Sequence, residues 1–195
     1  KQAIKIKANF TEAYNNLGVT FEAQGKSKEA LISFNRALSI KPNYAEALNN
    51  MGAVLQSQGK LEDSILAYSK ALRIKPNYWE AYFNIGRVRN EQGYLPKAIK
   101  AYTKAISLKH DCAEAHRDLS LIKKFTEHDP QIQLLEKLIA NPIIHESKKC
   151  QYLYSLGKAY EDLGHYESAF NQYYSGGKLR KKQLSYNIKD DELLF

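Results

Sequence analysis

Apolar, small and aromatic positions return on a period of 34 residues through the middle of the chain. Residues 11–44, 45–78 and 79–112 each open near E-A, continue with N-(L/M/I)-G, and carry Q-G at mid-unit. A small residue, an aromatic and A-(L/I) follow, with an ending close to K-P-N-Y, and the first two units share 15 of their 34 positions. A unit this short, divided once by glycine, predicts two helices per period. Such a unit buries its apolar face only against its neighbours, so the expectation is an all-α solenoid of helix pairs.

Start and stop signals agree with that reading. Asn9, Asn43, Asn77 and Asp111 stand where N-caps belong, and Glu12, Glu46, Glu80 and Glu114 follow three residues later, the spacing of a capping box. Pro42 and Pro76 precede two of these caps and stop the helix before them. Gly25, Gly59, Gly93 and Gly164 follow first helices, where a left-handed residue is wanted. Gly18, Gly52, Gly86 and Gly157 instead fall inside first helices, where glycine costs about 1 kcal/mol against alanine. Close approach of the second helix through Ala30, Ser64, Ala98 or Ala169 is the expected compensation, with Phe34, Tyr68, Tyr102 and Tyr173 filling the space between.

Both ends of the array differ from its middle. Residues 1–10 match the end of a repeat, so they are expected to close a truncated preceding unit and to leave an apolar edge open to self-association. Residues 113–149 form a divergent helix pair, with Ser120 in place of the internal glycine. Its second helix begins at Asp129-Pro130, carries Ile132, Leu135, Leu138 and Ile139, and ends at Asn141-Pro142. Residues 150–183 recover the pattern, and 184–195 read as a linker or the start of a following helix capped around Asp190, Asp191 and Glu192.

This constellation resembles the tetratricopeptide repeat, TPR, whose units are antiparallel helix pairs that build a right-handed superhelix. The resemblance implies that first helices line a concave groove that binds protein. There the chain presents Asn16, Asn50, Asn84 and Asp118, with Asn15 and Asn49 beside two of them. A carboxamide both donates and accepts, so it pairs with peptide backbone of any sequence; the alternative is that these amides only tie repeats together. Val19, Ala53, Arg87, Leu121 and Lys158 come next on the same face and turn it basic, which suits an acidic group on an extended peptide. The ladder is similar to that of the TPR arm of O-linked N-acetylglucosamine transferases. Chaperone-tail TPRs clamp a carboxylate with Lys, Arg and Asn. Here Asn15 and Val19 stand at two clamp positions, and Glu80 and Asn84 replace its other cations, so such a ligand is not expected.

Charge and chemistry change little. The formal charge of +8 permits an acidic partner, but the one dense basic cluster, Lys178–Lys182, lacks the interleaved aromatics of a nucleic-acid platform, and nucleic acid is not the expected partner. No apolar run approaches the ~20 residues of a membrane helix. Cys112 and Cys150 stand far apart and fit packed thiols in a reducing, cytoplasmic setting. Cys112 and His116 have the spacing of half a zinc site but no second ligand pair, so neither metal nor cofactor is expected.

From Ala113 onward the chain also resembles the TPR region that precedes the catalytic domain of bacterial TPR-sulfotransferase proteins. The matching residues are Ala115-His116-Arg117, Leu119–Thr126, Asp129-Pro130, Leu156–Gly164 and Leu179–Lys182, then Tyr186 and Leu194-Phe195. The resemblance implies a non-catalytic arm whose partner domain would follow Phe195. No catalytic residue is assigned within the chain: Gly176-Gly177 lacks the remainder of a phosphate loop, and His128, His145 and His165 have no nucleophile at a recognisable spacing. A free-standing adaptor and the arm of an O-linked glycosyltransferase are the alternatives.

Overall fold

The computed structural model describes residues 2–184, with side chains from Phe10 onward, and within them ten α-helices and no strand occur. They fall into two compact units, Lys1–Leu108 and Lys109–Phe195. In the first unit, α1 (Gln2–Ala23) packs on α2 (Ser27–Ile40), α3 (Ala45–Ser57) on α4 (Leu61–Ile74), and α5 (Trp79–Glu91) on α6 (Leu95–Leu108). The second unit holds α7 (Ala113–Ile122), α8 (Pro130–Ala140), α9 (Glu146–Asp162) and α10 (Tyr166–Gln183); α7, α8 and α10 all pack against α9. This is an all-helical solenoid of helix pairs.

The internal glycines explain the pairing, and the aromatics expected between the helices make the closest contacts. A Cβ added at Gly18, Gly52, Gly86 or Gly157 would stand 2.5–2.6 Å from the ring of Phe34, Tyr68, Tyr102 or Tyr173. The second helix lays an aromatic ring directly on the bare backbone of the first. Gly25, Gly59, Gly93 and Gly164 hold the left-handed conformation at φ 72–77°, as their turn positions require.

The capping boxes do not form. The N-caps of α3, α5 and α7 are Tyr44, Tyr78 and Cys112, one residue past the expected caps, and no side chain caps these ends. Tyr78 and Cys112 are buried, so packing of the turn residue into the core outweighs a local side-chain cap. Lys41 and Lys75 lie over the Tyr44 and Tyr78 rings at 5.0 and 4.4 Å. Glu46 accepts from Lys75 at 3.2 Å instead of reaching back to a cap. Asp111 takes Lys148 at 2.7 Å, while its carbonyl accepts from the Tyr152 hydroxyl at 2.8 Å. No helix begins after residue 9, because α1 runs unbroken from Gln2 to Ala23. Ala8 occupies the position that Pro42 and Pro76 hold in the next two units, so nothing stops the helix. The side chains of residues 1–9, with the apolar edge expected there, lie outside the described residues, as do Asp190, Asp191, Glu192 and everything else past Leu184.

The divergent region folds around a core of Ala113, Phe125, Ile132, Leu135, Tyr152, Leu156 and Ala159, with α7 and α8 each packing on α9 rather than closing as a pair. Asp129 caps α8 as expected, accepting from the Gln131 amide at 3.0 Å with Pro130 following. Buried His116 replaces the tyrosine or leucine of earlier repeats. Its Nε2–H donates to the His110 carbonyl at 2.8 Å, and its Nδ1 accepts from Gln131 Nε2 at 3.2 Å. A carbonyl only accepts, which assigns the tautomer.

Replacing Gly52 with Ala gains about 1 kcal/mol of helix propensity but drives a methyl group into the Tyr68 ring, and overpacking of this kind costs about 1–3 kcal/mol. Gly52→Ala is therefore expected to lower the midpoint of urea unfolding, and Gly52→Leu to lower it further.

Burial pushes the His116 pKa below its ordinary 6.5. The unfolded chain then binds a proton that the folded chain refuses, so this stability is present above pH 6.5 and is lost as pH falls below it. The melting temperature should drop between neutral and mildly acidic pH. In His116→Gln that drop should shrink; an identical drop would show that His116 is not its source.

Candidate peptide-binding face

The asparagine ladder lies in the first helices of the first unit, and the structure resolves it into pairs. Asn50 Nδ2 donates to Asn15 Oδ1 at 3.1 Å, and Asn84 Nδ2 donates to Asn49 Oδ1 at the same distance. Each bond joins one repeat to the next. Asn15 and Asn49 are buried beneath them, so these two serve the repeat junction rather than the surface. Asn50 and Asn84 are half-buried, and a carboxamide with one N–H committed keeps a second N–H and an acceptor for a ligand. Asn16 is exposed, and its backbone carbonyl accepts from Thr20 at 2.9 Å.

The pairing stops where the sequence changes. Phe83 takes the position of Asn15 and Asn49, and Arg117 takes it in the following repeat. There Arg117 donates from Nη2 and Nε to Asp118 Oδ1 at 2.7 and 2.9 Å. Asp118 is thus neutralised by its own neighbour. Arg87, one turn past Asn84, is exposed, as are Val19 and Ala53 at the same repeat position.

Lys158, expected as a second cation for an acidic ligand, is paired with Asp162 one turn along α9. Burial alone would raise the Asp162 carboxyl, but Lys158 and the Phe125 amide N–H outweigh it and hold the group below its usual range. The amide donates at 3.1 Å, so the pair anchors the loop after α7. Asp118 and Lys158 both lie in the second unit, whereas Asn15, Asn16, Asn49, Asn50, Asn84 and Arg87 lie in the first.

The half-zinc spacing is occupied by other bonds. His116 is held by His110 and Gln131, while burial raises the Cys112 thiol to about 11 and its Sγ lies 3.8 Å from Glu114. Among the described residues no group of three or more His, Cys, Asp or Glu side chains converges as a metal site. No helix among them is long and apolar enough to cross a membrane.

One feature escaped the repeat pattern. A hollow of about 630 Å³ opens between α5 and α6, over Tyr82, Ile85 and Ala101. Lys97, Lys100 and Lys104 stand at its rim; comparing positions across the three units would have singled out Lys97 and Lys100, whose counterparts are acidic and apolar.

Tetratricopeptide-repeat family models match residues 11–44, 33–65, 55–93, 80–112 and 151–174. No curated protein matches the chain. Among solved structures, the crystal structure of MamA is similar at 26% identity and a TM-score of 0.65, covering 87% of this chain and 98% of that one. The structure of pilF from Pseudomonas aeruginosa shares the fold at 18% identity and a TM-score of 0.67, covering 88% of this chain and 77% of its own. So does the first TPR of Spaghetti (RPAP3) bound to the HSP90 peptide SRMEEVD, at 21% identity and 0.57, over 59% of this chain and 91% of that one.

The inter-repeat bond between Asn15 and Asn50 is open to a double-mutant cycle. Asn15→Ala and Asn50→Ala should each destabilise the chain, and the double variant should lose less than the sum. The coupling should be about 0.5–1.5 kcal/mol by urea unfolding. Strict additivity would mean that the pair carries no stability.

Proposed function

Over residues 11–112 and 151–174 the chain is a tetratricopeptide-repeat protein, and we propose that the first unit binds an extended polypeptide along α1, α3 and α5. Asn16, Asn50 and Asn84 pair with its backbone, and Arg87 receives an acidic side chain. The observation that carries this reading is the locked ladder. Asn15 and Asn49 hold the carboxamides of Asn50 and Asn84 in fixed orientation before any ligand arrives, which removes part of the entropy cost of binding. Each backbone contact contributes about 0.5–1.5 kcal/mol, so the affinity depends on several acting together. The peptide-bound Spaghetti domain supports a peptide as the class of ligand. Its HSP90 peptide is not the ligand proposed here, because Asn15, Val19, Glu80 and Asn84 occupy the positions of a chaperone-tail clamp.

The setting proposed for this binding is a non-catalytic arm of a larger sulfotransferase, delivering polypeptide to it. What supports this is the resemblance of the stretches from Ala115-His116-Arg117 to Leu179–Lys182, including the departures from the repeat within 113–149, to the TPR region of sulfotransferase proteins. A cytoplasmic, reducing compartment belongs to the same reading, and the free, buried thiols of Cys112 and Cys150 suit it. An adaptor without a catalytic partner is the second reading. A reading frame that continues past Phe195 into a phosphate-binding strand–loop–helix separates the two.

Asn16→Ala with Arg87→Ala leaves both inter-repeat bonds intact and removes only exposed groups. Peptides selected from a random library on the unaltered chain should lose about tenfold in affinity for this variant by fluorescence anisotropy. Undiminished binding would place the ligand elsewhere.

A further inference from the structure

The hollow between α5 and α6 occurs in a smaller form one repeat earlier. There about 220 Å³ is lined by Leu48, Met51, Leu55, Asp63, Leu66, Ala67 and Lys70. Four positions around the two hollows tell them apart. The first unit's earlier repeats carry Phe21, Glu29, Ile32 and Arg36, then Leu55, Asp63, Leu66 and Lys70, each set with no net charge. The third repeat carries Arg89, Lys97, Lys100 and Lys104, all positive.

This change works against the helix that bears it. Lys97, Lys100 and Lys104 follow one another at spacings of three and four, where like charges repel on a helix face. Lys97 also lies in the first turn of α6, which has no acidic residue, while α2 and α4 place Glu29, Glu62 and Asp63 in theirs. A positive charge there opposes the helix dipole. Arg89 is answered by Glu62 at 3.4 Å and Gln92 at 2.7 Å, but the three lysines project around the hollow in exposed positions. The repulsion is relieved when carboxylates arrive.

We propose that this hollow is a second docking surface, for an acidic amphipathic helix of a partner protein. One apolar side chain of that helix enters above Tyr82, Ile85 and Ala101, and carboxylates spaced by helical turns face Lys97, Lys100 and Lys104. The three lysines cover about two turns of α6, the length over which a partner helix presents acids at matching spacing. The apolar floor favours protein over nucleic acid. The nearest exposed ring, Tyr94, already faces Arg89 at 5.7 Å and Lys97 at 5.0 Å, and does not offer itself to a base. The surface is also separate from the asparagine ladder. At about 100° per residue, Tyr82, Ile85 and Arg89 share one side of α5, and Asn84 and Arg87 lie on the other.

The test is an NMR titration of the full chain with a synthetic amphipathic helix of Glu and Leu, beside a Lys and Leu helix and a short RNA. The acidic helix should shift amides around Lys97, Ala101 and Lys104 and leave those around Asn16 and Asn50 unmoved. Lys100→Glu with Lys104→Glu, both exposed and therefore tolerated by the fold, should weaken it about tenfold or more. Asn16→Ala with Arg87→Ala should leave it unchanged, which keeps this outcome independent of the ladder. Equal binding of the basic helix, stronger binding of the RNA at the same amides, or indifference to the charge reversal would each overturn the proposal.

Discussion

The helix pairs depend on an aromatic ring laid against a backbone without a side chain. At Gly18, Gly52, Gly86 and Gly157 there is no room for even one carbon beneath Phe34, Tyr68, Tyr102 or Tyr173. The contact fixes how closely the two helices of a pair approach and where the second helix crosses the first. It also explains why glycine is placed mid-helix, where its conformational freedom opposes folding. The divergent fourth repeat shows what happens without it. Ser120 stands at that position, its hydroxyl turns to Arg117 and Ser155, and α8 packs on α9 instead of closing a pair with α7.

The repeat junctions are built differently from the pairs, and this shapes the binding surface. Carboxamides bridge successive first helices, so the groups that join the repeats also set the orientation of the groups offered to a ligand. In the binding proposed, structure and recognition are not alternatives for this ladder. Asn15 and Asn49 are buried at the junction, Asn16 is exposed, and Asn50 and Asn84 are half-buried and bonded across it, so that in the proposed binding they would serve both. Where polar pairing is replaced by Phe83 and Arg117, a locally paired Asp118 takes over and the ladder ends.

Much of this was legible in the chain because its signals are local and repeated. The period, the left-handed glycines and the Asp129 cap each follow from a few neighbouring residues. The capping boxes were misread because the same local pattern competes with burial. Tyr44, Tyr78 and Cys112 move the caps by one residue, which no capping preference alone would predict. The engagement of Lys158 was only half legible: its helical spacing to Asp162 is visible in the sequence, but the Phe125 amide that holds Asp162 in place comes from a distant loop. The hollow between α5 and α6 left its trace in the sequence as Arg89, Lys97 and Lys100 replacing apolar or acidic residues beside a position that is basic in every repeat, a pattern without meaning until α5 and α6 are side by side.

The sequence by itself determined an all-helical repeat protein, the residues on each face of its first helices, and the turns between them. Helical periodicity and glycine stereochemistry act over a few residues and need no knowledge of what packs where. Only the tertiary structure decided which polar groups remain available. Asn15, Asn49, Asp118 and Lys158 read from the chain as ligand-binding groups, yet each is engaged by another side chain. For Asn15 and Asn49 that partner is a whole repeat away; for Asp118 and Lys158 it is a neighbour whose rotamer the surrounding fold selects. Hydrogen-bond capacity is limited, and the fold determines how much of it the protein uses on itself.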